Sequence, residues 1–361
     1  MVVIMSGARA AQRPPNTQLT TAFAVGALSL VVGLASVGVA SAAPQDGSVD
    51  GLKAKYIDVM GVQTRYYDYG QGEPVVLVHG EGFSGHSSAN SWAKNIPGLA
   101  KRFRVVAADK LASGLTGNPA DDKDYNLEGE VEHMYQFIKT MKLGKVHLVG
   151  QSRGGILVLF LASLHPDVVK TLIIVNSANA SPDVGTTGRA ASLATCPASA
   201  GDAAADYAEW KCRMRAMSFL PFVAFDETFF ESGRYMANLP KARTTLAKIA
   251  AGAGEPLSKQ LPKTKAALHE RIRNEGLLQM PVLIYWGIDD PNNVPGFPPA
   301  KTGLALYDLI SAKNPRVRMQ IISRAGHFHF REYPDEFNYN IGNFIEYWNA
   351  HPAATPATGY K

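Results

Sequence analysis

Short, almost wholly apolar runs alternate with longer amphipathic stretches over most of this chain. The runs are residues 74–80, 103–109, 146–150, 172–176 and 281–287, and the more mixed stretch 316–323 is the last expected strand. Runs of this length, rich in Val, Ile and Leu, predict strands buried on both faces. Between them, residues 91–101, 128–141, 156–164, 302–312 and 337–348 predict helices; in 128–141, Val131, Met134, Tyr135 and Ile138 share one face. Ahead of these, residues 54–60 and 62–68 alternate around Gly61, which predicts a hairpin at the start of the sheet. Strand and helix in this rhythm predict an α/β fold, a mostly parallel sheet of about eight strands flanked by helices.

The rhythm breaks near Ala178. From residue 181 to 262 there is no buried-strand pattern, only Ala-rich and helix-prone segments. An insertion of that length is too long for one loop and reads as a helical cap over the site. The expected organisation is therefore core 43–180, cap 181–262, core 263–350 and a flexible tail 351–361.

The first fifty residues differ from the rest. Arg13 is followed by no charged residue until Asp46, the stretch between is apolar, and Ala40-Ser41-Ala42 supplies small residues before Ala43-Pro44. This pattern predicts a signal peptide over residues 1–42 and an exported protein, periplasmic or secreted, with an uncleaved N-terminal anchor as the alternative. The chain carries 36 Lys and Arg against 31 Asp and Glu, a formal charge of +5. Removal of the leader takes away Arg9 and Arg13 and leaves 34 − 31 = +3. No basic cluster stands out, so nucleic acid is not an expected partner. The two cysteines, Cys196 and Cys212, lie sixteen positions apart in the expected cap. They are either a disulfide, consistent with export, or two buried thiols.

Candidate chemistry centres on Gly150-Gln151-Ser152-Arg153-Gly154, which falls on the turn between a buried strand and an apolar helix. A serine there sits on a sharp, strained turn with its Oγ exposed, and the glycines allow strand and helix backbones to pass closely. A serine hydroxyl needs a base within hydrogen-bond reach, itself oriented by a carboxylate. In folds with such an elbow the chain order is Ser, acid, His. His327, just after the last expected strand, is the expected base. The acid is expected after the preceding strand, where Asp290 is chosen over its neighbour Asp289. The oxyanion would be held by the backbone N–H groups of Arg153 and of Glu81, in His79-Gly80-Glu81-Gly82. Both donors carry charged side chains, which are expected to pair with each other at the site mouth. A metal site at His327 and His329 lacks a third ligand at suitable spacing, and no metal or other cofactor is expected.

Together these motifs resemble the α/β-hydrolase superfamily over roughly residues 52 to 349. Within it the chain is similar to the meta-cleavage product hydrolases and to related monoester hydrolases such as the monoalkyl phthalate esterases. The resemblance rests on His79-Gly80-Glu81-Gly82, Gly150-Gln151-Ser152-Arg153-Gly154-Gly155, Gly326-His327-Phe328 and Asp335-Glu336-Phe337-Asn338. It implies substrate contacts from Gln151 and Phe328. Gly233-Arg234-Tyr235 resembles the family's Gly-Arg-Trp stretch, which implies Arg234 as a carboxylate clamp. The chain departs from the family at Gln151, where Asn is usual, at Arg153, where Met is usual, and in the loop after His79, interrupted by Glu81 and by Phe83-Ser84. These departures and the export signal favour hydrolysis of a carboxylic ester over C–C bond cleavage. The expected partner is a small ester or keto-acid substrate, anionic or aromatic. An inactive binding protein on the same fold is the alternative of another class.

Overall fold

The computed structural model describes residues 47–198, 202–254, 257–296, 298 and 300–352. The expected leader and residues 353–361 of the expected tail lie outside them. The strands are β1 (Lys55–Val59), β2 (Val62–Tyr69), β3 (Pro74–Val78), β4 (Arg104–Ala108), β5 (Val146–Gln151), β6 (Val169–Val175), β7 (Val282–Gly287) and β8 (Val317–Ile322). They form one sheet in the order β1-β2-β4-β3-β5-β6-β7-β8. β2 runs antiparallel to both β1 and β4, and every other neighbouring pair is parallel. The β1–β2 hairpin turns on Met60 and Gly61, both at positive φ (56° and 78°), and the Asp58 carboxylate accepts from the Gly61 N–H at 3.0 Å. Val75, Val76, Leu77 and Val78 are all fully buried, as are Leu172, Ile173, Ile174 and Val175. Each such side chain stabilises the fold by roughly 1.5–3 kcal/mol relative to exposure, which is why the central strands read so clearly as apolar runs.

The helix Arg153–Leu164 is buried continuously from Gly154 to Ala162. A helix apolar all round must be covered all round, and this one packs between the sheet and the helix Leu127–Thr140. The latter starts where the Asn126 side chain accepts from the Gly129 N–H at 2.8 Å. The single helix expected over residues 91–101 is instead a 3-10 turn, Ala89–Trp92, followed by a short helix, Ile96–Leu99. Pro97, with no N–H to donate, sits in the first turn of the second piece, which begins at Ile96, rather than continuing the first.

Beyond β6 the chain forms the helices Arg189–Leu193, Ala203–Ala216, Pro221–Ala224, Glu227–Ala237 and Pro240–Ala250 before Leu257–Glu275 leads back to β7. The expected boundary at residue 262 falls inside that last helix. Pro262 lies within it, and Leu268 and Ile272 pack into the same cluster as β7 residues Val282 and Ile284. Cys196 and Cys212 are disulfide-bonded, with their Cα atoms 5.6 Å apart. The bond ties the segment after Arg189–Leu193 to the helix Ala203–Ala216. Among the described residues no helix is long and apolar enough to cross a membrane.

Candidate active site

β5 ends at Gln151 and the next helix begins at Arg153, which leaves Ser152 alone on the turn between them. Its φ of 54° and ψ of −120° are costly for a non-glycine residue and persist only where the surroundings over-determine them. Three hydrogen bonds do so: Ser152 N–H to the Val175 carbonyl (3.0 Å), Gly155 N–H to the Ser152 carbonyl (2.9 Å) and Ser177 Oγ to the same carbonyl (2.5 Å). Gly154 completes the turn, because a Cβ there would lie 2.5 Å from the Val78 carbonyl oxygen.

His327 follows β8, and its Nδ1 lies 2.9 Å from Asp290 Oδ2. Its backbone N–H donates to the Met217 carbonyl at 2.8 Å, so the cap helps to hold the imidazole in place. Asp290, just after β7, is buried and also accepts from Asn176 Nδ2 (2.8 Å), Asn292 N–H (2.9 Å) and Asn292 Nδ2 (2.8 Å). Burial alone would raise the pKa of this carboxyl, but the neighbouring imidazole and the Asn292 donors outweigh it and hold the group below the ordinary carboxylate range. Asp289 points elsewhere, accepting from the Ala325 N–H at 3.2 Å on the exposed side of the turn. Of the two adjacent aspartates, the structure therefore gives the imidazole to Asp290.

Ser152 and His327 line one cavity of about 1050 Å³ together with Glu81, Arg153, Arg189 and Arg213. Gln151 also reaches it, but its side-chain amide donates to the His327 carbonyl at 3.2 Å and so ties the elbow to the histidine loop. Phe328 packs edge-on against the His327 ring at 4.9 Å and forms part of the apolar wall. The Arg153 N–H has no partner inside its own helix, being the first helical residue. Glu81 has a φ of 50°, and its carbonyl accepts from the buried Lys110 Nζ, which fixes the loop in front of the serine.

Two sequence expectations are corrected. Glu81 does not pair with Arg153. Its carboxylate accepts from Ser87 Oγ and lies 3.4 Å from Arg213 Nη2 of the cap. Arg153 instead lies over Gly82, where an added Cβ would come within 2.1 Å of Nη1. Arg234 is the second correction. The inward residues of the helix Glu227–Ala237 include Phe229, Phe230, Gly233 and Met236, and Arg234 falls off that face. Its side chain is 53% exposed, bound to Glu231 at 2.5 Å, set over the Tyr207 ring, and absent from the cavity wall. The expected carboxylate clamp is therefore not at this position.

Sequence reasoning missed Asn176, Asn292, Arg189 and Arg213. Asn176, at positive φ (43°) after the apolar run of β6, and Asn292, two residues past Asp290, both offered a local signal for a polar, turn-like site edge. His329 is buried and stacked on Tyr285 at 4.8 Å, and among the described residues no group of three metal-ligating side chains gathers anywhere.

Beneath the site, His79 is fully buried, with Nδ1 2.8 Å from the Gly80 carbonyl and Nε2 accepting from the Lys110 N–H at 3.0 Å. Burial, helped by the Lys110 charge, lowers its pKa to about 3, and burial lowers that of His133 to about 4. Both values lie below the 6.5 of an unperturbed histidine, so the unfolded chain takes up protons first. Stability is then full above about pH 6.5 and falls as the pH drops toward 4, by up to about 1.4 kcal/mol per pH unit for each histidine. Urea unfolding at pH 7.5 and 5 should show this loss, and His133→Gln should make it shallower.

The arrangement provides a strained, half-buried serine at the cavity wall, an imidazole with an oriented Nδ1, and two residues, Glu81 and Arg153, at that wall whose backbone N–H groups could serve as donors. That is the equipment for attack on a carbonyl. A family model described as alpha/beta hydrolase fold matches residues 73–332. A 2-hydroxymuconate semialdehyde hydrolase of Pseudomonas sp. (strain CF600) is 28% identical over 309 residues, covering 84% of this chain and 96% of that protein. A 2-hydroxy-6-oxo-6-(2'-aminophenyl)hexa-2,4-dienoic acid hydrolase of Metapseudomonas resinovorans is 40% identical over 125 residues, a match that spans 34% of this chain and only 42% of the relative. Among solved structures, a meta-cleavage product hydrolase from Pseudomonas fluorescens IP01 superposes with a TM-score of 0.63 at 25% identity, covering 82% of this chain and 98% of the other.

Proposed function

Because the chain belongs to the alpha/beta hydrolase fold family, we propose that it is a serine hydrolase that cleaves a carboxylic ester through an acyl-enzyme. One observation carries this reading: the His327–Asp290 hydrogen bond of 2.9 Å lies beside the cavity that also holds Ser152 on its strained turn. Asp290 occupies Nδ1 and leaves Nε2 for the serine. Ser152 Oγ attacks the ester carbonyl while His327 takes the hydroxyl proton. The oxyanion that forms is held by the Glu81 and Arg153 N–H groups. The tetrahedral species collapses, His327 gives its proton to the departing alkoxide, and the alcohol leaves. Water then adds to the acyl-enzyme by the same proton path and releases the acid.

A second reading is cleavage of a C–C bond in a vinylogous diketone acid by the same residues. It is favoured by the relatives named as hydrolases of 2-hydroxy-6-oxodienoates and of 2-hydroxymuconate semialdehyde. One substrate panel separates the two: p-nitrophenyl esters, aromatic monoesters and a 2-hydroxy-6-oxodienoate, each with wild type and His327→Ala. The expected result is ester turnover that is lost in the variant. Turnover of the dienoate alone would replace the ester reading by the second one.

A further inference from the structure

The charges around Ser152 do not balance. Four arginines reach the cavity wall, Arg153, Arg189, Arg213 and Arg243, against the carboxylates of Glu81, Asp206 and Glu209. Arg213 is neutralised by Glu81 at 3.4 Å and by Glu209 at 3.6 Å, and Arg243 is exposed. Asp206 acts on His86, which also lines the cavity. Arg153 and Arg189 remain. Among the described residues neither forms an ion pair, although Glu81 and Asp290 are near enough to Arg189 to act on its charge.

The Arg153 side chain is placed by its contact with the loop, and the segment that carries Arg189 is held by the cap. Arg153 follows the serine directly and lies over Gly82, a position with no room for a Cβ. Arg189 opens the helix Arg189–Leu193, and the Cys196–Cys212 bond couples the chain just beyond it to the helix that carries Arg213. Burial disfavours the Arg189 charge first, and the like charges of Arg213 and Arg153 add to that. A guanidinium held partly out of water beside other guanidiniums is relieved by an anion, and its planar fork fits a carboxylate with two parallel hydrogen bonds.

We propose that Arg153 and Arg189 together bind a carboxylate carried by the substrate, so that the enzyme selects anionic over neutral substrates. This rests on the serine hydrolase reading for what is cleaved, but not for what is bound. It moves the role expected of Arg234 to the elbow itself and to the first cap helix.

Two experiments keep the parts separate. The first compares kcat/KM for matched ester pairs, mono-p-nitrophenyl glutarate against p-nitrophenyl pentanoate, and 4-acetoxybutyrate against butyl acetate. Wild type should prefer the anion in at least one pair. Arg153→Met and Arg189→Met should each lower that anionic-to-neutral ratio by about tenfold or more, mostly through KM. Arg234→Met should leave the ratio within about twofold of wild type, as expected of an exposed surface position. The second measures glutarate binding to Ser152→Ala by calorimetry. Binding should weaken by about tenfold or more when Arg153→Met or Arg189→Met is added, and should fall with rising salt. Glutarate binding that needs both arginines in a protein that cleaves no ester would keep the anion site and remove the ester reading. A wild type that prefers the neutral ester in both pairs, a loss that follows Arg234, or glutarate binding indifferent to both arginines would overturn the proposal.

Discussion

Ser152→Ala should lower kcat by on the order of 10⁶-fold while leaving a folded protein. The alanine inherits the φ of 54° and the backbone hydrogen bonds to Val175 and Gly155, none of which involves Oγ. The thermal midpoint should therefore stay within a few degrees of wild type, an effect of about 1 kcal/mol or less. Stopped assays on the best substrate, with melting curves in parallel, check both halves. A variant that keeps a tenth of the activity would mean that Ser152 only shapes the turn.

Asp290→Asn should cost about 10⁴-fold in kcat, because an amide facing Nδ1 favours the wrong imidazole tautomer. It should also cost about 1–3 kcal/mol of stability. The carboxylate accepts from Asn176, from both the backbone and the side chain of Asn292, and from His327, and an amide cannot accept at both ends. Asp289→Asn is the control. Among the described residues its carboxylate accepts only from the Ala325 N–H, on the exposed side, so activity should fall by less than about threefold. Steady-state kinetics on the two variants side by side decide which aspartate serves the histidine, and a larger loss at residue 289 would reverse the assignment.

The core of this fold was legible because burial on both faces leaves a local trace. β3 and β7 are apolar almost from end to end, β5 and β6 each carry an apolar run at their centre, and the turn at Ser152 lies between a fully buried strand and a helix buried from Gly154 to Ala162. Asp290 and His327 could be placed because each follows a strand directly, where chain order and position agree. The cap was legible only as a helical insertion. Which face of each cap helix turns inward is set by packing against distant residues, and the helix Glu227–Ala237 turned Arg234 outward and Gly233 inward against Trp210. Charge pairing was hidden for the same reason. Glu81 and Arg213 are 132 residues apart, and no local pattern links them. One clue to the position of Arg153 was present in Gly82, whose missing side chain leaves room for the guanidinium. A glycine in a loop has many uses, and only the fold shows which one applies. Pro97 likewise signalled the break in the 91–101 segment, yet a proline is as acceptable in the first turn of a helix as it is at a break.

The central claim is that Ser152 becomes acylated with the help of His327. Mixing the enzyme with a p-nitrophenyl ester, quenching in acid within the first turnover and mapping peptides by mass spectrometry tests it directly. The account requires the acyl mass on the peptide that contains Ser152, and requires that mass to be absent from His327→Ala treated alike. An acyl group on any other side chain, or turnover with no adduct at Ser152 at any quench time, would contradict it.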